Sequence, residues 1–189
     1  SAAKTAPADV IATLSAAKTA WLASREPYLQ TEVYRFYDGP IDDADGPEGL
    51  MNAWPLDESY IDYVDGMPTA GIVNGSEEIS ATNLEALNEQ GGEENVATGY
   101  HAIEFLLWGQ DMSDTGPGAR PDTDFADMGT AENQSRRRDY LNTVSTLLIA
   151  NLQSMVDAWA EGGSNYRAEL EAADPKEGLR RVLTGMIVL

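Results

Sequence analysis

Apolar side chains recur at three- and four-residue spacing through most of the chain, and no segment shows sustained strand alternation. The first such run, residues 8–37, sets Val10, Ile11, Leu14, Trp21 and Leu22 near one stripe and is interrupted at Pro27. Proline has no amide hydrogen and disfavours a helical residue before it, so the run predicts a kink or two helices meeting near Glu26. Over about 38–76 the period is lost among Gly39-Pro40, Gly46-Pro47, Trp54-Pro55, Met67-Pro68 and Asn74-Gly75. The Trp54, Leu56, Tyr60, Ile61 and Tyr63 side chains within it predict an irregular but packed loop, with a short helix at 57–64. Helical spacing returns at 79–90 and 94–110, separated by Gly91-Gly92, and Glu93-Glu94 suits the positive end of the second helix. After a polar loop at 111–129, Leu141, Val144, Leu148, Leu152, Met155 and Trp159 form the longest stripe and predict a helix over 132–160. Ser164 is the expected cap of a short helix reaching Ala173, and Asp174-Pro175-Lys176-Glu177 has the capping residue, first-turn proline and third-position glutamate that start another. The pattern as a whole predicts an all-α antiparallel helical bundle. The chain finishes on Met186-Ile187-Val188-Leu189, an apolar end without a polar cap, which reads as continuing into a larger protein.

Within NVATGYHAIEFLLWGQ, residues 95–110, the only side chains that ionise near neutral pH are His101 and Glu104, and His101 is the single histidine of the chain. A helix apolar on nearly every face belongs in an interior, and an unpaired carboxylate there costs several kcal/mol. Glu104 is therefore expected to meet a metal ion, His101 itself or a basic group from elsewhere. A separation of three residues puts both side chains on one helix face, about 5 to 6 Å apart at Cβ, within reach of one ion. Imidazole with carboxylate suits iron, zinc or copper better than calcium or magnesium. A mutually satisfied core pair is the alternative, and from these residues alone it stands ahead. One histidine excludes a zinc site built on two or three histidines of this chain, and HExxH is absent. Any further ligands have to come from carboxylates, water or another segment.

Charge narrows the function classes. Thirty-two acidic residues against 12 basic ones give a formal net charge of -20 over 189 residues. Such a surface repels nucleic-acid phosphates and anionic membranes and attracts cations, and it equally suits an acidic shell kept soluble in a salty medium. With no cysteine, disulfides, thiolate nucleophiles and cysteine metal sites are excluded. No run approaches the ~20 apolar residues of a membrane span, and the start of the chain lacks an apolar signal core, so an exported protein is expected in processed form. The acidic stretch DGPIDDADGPEG fails as an EF-hand: with Gly46 as the invariant glycine, Ile41 and Asn52 occupy the first and twelfth ligand positions. A solvated turn is expected there. Glu32 and Arg35 predict a surface ion pair worth at most ~1 kcal/mol, and Arg136-Arg137-Arg138 predicts a solvated helix start. A Ser-His-Asp triad has only His101 to draw on, and no nucleophile elbow surrounds it.

Several blocks together resemble the imelysin family, which includes insulin-cleaving outer-membrane proteins and iron-regulated protein A and is distantly similar to the iron-uptake lipoprotein EfeO. They are Thr31-Glu32 with Arg35-Phe36, Gly39-Pro40-Ile41-Asp42, Gly46-Pro47-Glu48, Asn52-Ala53-Trp54-Pro55-Leu56-Asp57-Glu58, Tyr60-Ile61-Asp62-Tyr63, the run from Gly99 to Asp111, and Leu183-Thr184-Gly185-Met186. The resemblance implies two bundle-like halves, with residues 1–189 as the first and the second half lying beyond this chain. It also implies export to the periplasm, outer membrane or cell surface, iron control, and a GxHxxE motif, here Gly99, His101 and Glu104, near where the halves meet. Tyr100 and Arg35 support the motif. The function so expected is iron-related metal binding, with His101 and Glu104 as ligands and Glu32, Asp57 or Glu58 completing or surrounding the site. Iron is the first metal, with zinc or copper as alternatives. The expected partners are the second half of the same protein and iron-uptake components, and not nucleic acid. One rival is an imelysin-type metallopeptidase using Glu104 and His101 catalytically, although the motif lacks a zincin's second histidine. The other is a structural or interaction module in which His101 and Glu104 only satisfy each other, with Arg35 nearby.

Overall fold

A computed structural model describes residues 7–127 and 132–188. The end of the loop expected over 111–129, residues 1–6 and Leu189 lie outside the described residues. Those described form an all-α helical bundle, with one isolated bridge, Val64 to Met67, as its β feature. In chain order the α-helices are α1 (Ala8–Leu29), α2 (Glu48–Met51), α3 (Glu58–Ile61), α4 (Ala81–Leu87), α5 (Gly99–Trp108), α6 (Gln134–Trp159), α7 (Tyr166–Ala172) and α8 (Pro175–Val188). Tight 3₁₀ turns at Glu32–Tyr34 and Asp122–Phe125 complete the set. No helix among the described residues is long and apolar enough to cross a membrane.

The bundle is organised around α5. All of its residues are buried except His101, Glu104 and Trp108, which fall at helical spacing along one stripe. On the closed sides α1 contributes Leu14 and Tyr28, α6 contributes Tyr140, Val144 and Leu148, and α2 inserts Met51. Ile61, Leu84, Leu106 and Val144 are sealed from solvent, and each contributes roughly 1.5–3 kcal/mol of hydrophobic stabilisation. The Tyr140 hydroxyl donates to the Ala97 carbonyl at 2.8 Å, fastening α6 to the entry of α5. At the other end of the chain α8 packs on the Glu32–Tyr34 turn, and Gly185 lies so close that an added methyl would overlap the Val33 carbonyl.

Several elements depart from the sequence pattern. Pro27 neither kinks α1 into two helices nor stops it at Glu26: it lies in the last turn, where it removes one helical bond close to the end, and the buried Tyr28 ring holds that turn. The helix does not continue to residue 37, because the Thr31 amide and hydroxyl both donate to the Tyr28 carbonyl and start the 3₁₀ turn. The α5 helix begins at Gly99 rather than near 94, so Glu93-Glu94 lies outside its first turn. The Asn88 side-chain oxygen accepts from the Ala97 and Thr98 amides at 2.9 and 3.2 Å and holds that strand of chain extended. The short helix expected at 57–64 is confined to α3. The cap of α7 is Asn165, not Ser164: its side chain accepts from the Ala168 amide. At α8 the expected start is observed, with Asp174 accepting from the Lys176 amide at 2.8 Å.

The largest correction concerns the arginine run. Arg136, Arg137 and Arg138 do diverge around α6, but they are not a solvated surface. Arg136 donates to the carbonyls of Ile72, Val73 and Glu77 and pins that loop. Arg137 is fully buried and grips both oxygens of the buried Asp62, at 2.6 and 2.9 Å. Arg120 approaches the same carboxylate at 2.8 Å and Asp124 at 3.4 Å. The Tyr63 hydroxyl donates to Asp124 at 2.5 Å, and burial followed by that bond pushes its phenol up to about 12. Two guanidiniums and two carboxylates thus balance inside the core, where an unpaired one would be severely penalised.

Candidate metal centre at His101 and Glu104

The open stripe of α5 faces a cleft of about 420 Å³ that also contains Glu58, Asp111 and the indoles of Trp21 and Trp54. His101 Nδ1 lies 3.1 Å from Glu104 Oε2. A carboxylate only accepts, so in that bond Nδ1 carries the hydrogen, and the uncharged form of the ring then has its lone pair on Nε2. This is the arrangement in which an acidic neighbour fixes a metal-binding imidazole in the tautomer and orientation it needs. The tilted Trp54 ring, 5.0 Å away between centroids, covers one side of the imidazole.

The burial expected of Glu104 is not found. Its side chain is 44% exposed, against 17% for His101, because among the described residues no element closes over that part of the stripe. Water and His101 therefore supply the compensation that an interior carboxylate would need. The same fact weighs against a closed core pair. A carboxylate and an imidazole bonded to each other at the wall of a cleft remain available to a third group.

The other candidates separate into two places. Glu58 shares the cleft, at the start of α3. Asp57, next to it, is the α3 cap, accepting from the Ser59 amide and hydroxyl at 2.9 and 2.7 Å. Glu32 lies in a different cluster and is buried rather than a surface group: it accepts from Arg35 at 2.9 Å and from Asn52 at 3.4 Å, while the other arm of Arg35 reaches Glu48 at 2.9 Å. Arg35 thus organises that cluster and is not a partner of the His101 pair. Tyr100 is a core residue, its ring 4.9 Å from Tyr28 and 4.7 Å from the Arg25 guanidinium. Gly99 has φ +82°, and a Cβ there would come within 2.5 Å of the Met51 carbonyl oxygen, so the motif glycine seats α5 on α2. Asp111 is a cleft residue that sequence reasoning did not select; its signal was its place directly after the apolar run. Among the described residues no three acidic or histidine groups are close enough to hold a metal by themselves.

Burial pushes the Glu58 carboxyl above its usual range, with Arg120 opposing. The folded protein consequently keeps this proton to higher pH than the unfolded chain does. Stability falls as pH rises through the window between the ordinary and the raised value, and stays lowered above it. Glu58→Gln is expected to melt above the parent near pH 7, with the difference closing toward pH 4 as both proteins carry a neutral group there. Melting temperatures of the two proteins at each pH check this; a gap that does not change with pH would contradict it.

Iron-regulated protein A of Synechococcus elongatus is 28% identical over 168 residues, covering 88% of this chain and 35% of that protein. The chain thus spans about a third of the length of that relative. The sequence profile described as imelysin matches residues 1–189, and with that match over its whole length the chain belongs to the imelysin family.

Proposed function

We propose that the protein is an iron-related metal-binding member of its family, exported to the periplasm or the cell surface, in which His101 Nε2 is the leading ligand. Glu104 orients the imidazole through Nδ1, and its charge, with that of Glu58 and Asp111, lies around the entry. The observation that carries this reading is the stripe His101, Glu104 and Trp108, the side of α5 that is not buried among the described residues, with a hydrogen-bonded imidazole and carboxylate directed into a cleft. The printed name of the Synechococcus relative supports iron as the metal, with zinc and copper as alternatives. Additional ligands come from water or from parts of the full-length protein outside residues 1–189, and iron-uptake components are the proposed partners. In the full-length protein, His101→Ala with Glu104→Ala is expected to lower iron, zinc and copper affinity ten- to about a hundred-fold in calorimetric titrations. Unchanged affinity for all three would sink the proposal.

The classing of imelysin as a peptidase family favours a second reading, in which the same pair holds a metal and its water for peptide hydrolysis. Chelator-sensitive cleavage of unfolded peptides by the metal-loaded full-length protein, lost in Glu104→Gln, would favour it. No cleavage by the parent protein would leave binding as the function.

A further inference from the structure

The cleft is larger and more aromatic than a bare ion requires. Its volume of about 420 Å³ lies within the range of sites that take whole organic molecules. Three of the chain's four tryptophans line it, Trp21, Trp54 and Trp108, together with His101, Glu104 and Glu58. Trp21 and Trp108 support each other edge to face at 5.3 Å, and Trp21 is fixed further by donating its indole hydrogen to the Tyr100 carbonyl at 2.9 Å. These two are wall. Trp54 differs: it is 69% exposed, although Ala53 before it is buried, and the contact it makes at the site is with the His101 ring. An exposed indole beside the imidazole presents a flat, electron-rich face to the cleft. Such a face attracts cations and planar π-systems.

We infer that the cleft takes its metal as a complex with a planar aromatic chelator, the metal held by His101, which Glu104 orients, and the chelator lying against Trp54. This inference rests on the metal-binding reading above. The carboxylates neutralise the charge of the metal, and the indoles replace water around the apolar body that carries it. A bare, fully hydrated ion gains only the first of these.

The test uses full-length protein and two probes, zinc(II) alone and zinc(II) with one equivalent of 1,10-phenanthroline, each titrated by calorimetry. The complex is expected to bind about tenfold more tightly than zinc alone, as stacking on an aromatic face would provide. Trp54→Ala is expected to bring the ratio of the two affinities close to one, and Trp54→Phe, which keeps a flat ring, to retain most of it. Equal affinities in the parent protein, or a preference that survives Trp54→Ala, would overturn the inference while zinc binding lost in His101→Ala leaves the metal-binding reading standing. Failure of both probes to bind removes the reading and the inference together.

Discussion

Asp62→Ala is expected to cost about 4 kcal/mol of folding stability or to prevent folding altogether. The wild-type carboxylate is wholly buried and accepts from Arg137 at 2.6 and 2.9 Å, from Arg120 at 2.8 Å and from Asn74 at 3.1 Å. Removing it leaves two buried guanidiniums facing the single carboxylate of Asp124, and burial makes an uncompensated charge far more costly than the loss of one contact. The measurement is the midpoint of urea unfolding for the parent and the variant. Asp127→Ala provides the comparison, because its pair with Arg138 at 2.7 Å is largely exposed and is expected to contribute no more than ~1 kcal/mol. Similar losses in the two variants would mean that the buried cluster is not the keystone described here.

Gly99→Val is expected to destabilise the protein by about 4 kcal/mol, the sum of backbone strain and overpacking. A β-branched residue at φ +82° is strained whatever surrounds it. Here a Cβ also meets the Met51 carbonyl carbon and oxygen at 2.6 and 2.5 Å, backbone atoms that cannot rotate away. Gly66→Ala separates the two contributions: its φ is +76°, yet no heavy atom lies within 4 Å of the added Cβ, so only about 1 kcal/mol of backbone cost is expected. Unfolding midpoints for Gly99→Val no lower than those for Gly66→Ala would refute the crowding argument.

The helical class and the α6 stripe were legible because helix burial leaves a periodic trace in the residues themselves. So was the pairing of His101 with Glu104, since a three-residue spacing fixes proximity on any helix. What the sequence could not convey was exposure. The chemistry of the 95–110 run looks interior from every side, and the uncovered stripe at His101, Glu104 and Trp108 depends on which elements pack on α5. The arginine run misled for the opposite reason: a net charge of -20 makes solvation the default, while Arg137 finds its partner 75 residues earlier at Asp62. Glu32 and Arg35 were read as a surface pair for want of knowing that Asn52 and Glu48 close around them. The Tyr60-Ile61-Asp62-Tyr63 block, noticed as a resemblance, has a structural explanation in the buried cluster rather than a place in the cleft.

The brevity of α3 has a consequence for recognition. Glu58 opens this four-residue helix and Asp62 follows it directly, so the acid that faces the cleft is separated by a single turn from the carboxylate clamped by Arg120 and Arg137. The backbone beneath Glu58 has little freedom left to lose. If the cleft takes up a cation as proposed, this wall is already ordered by folding, and ordering it contributes little to the entropic cost of association.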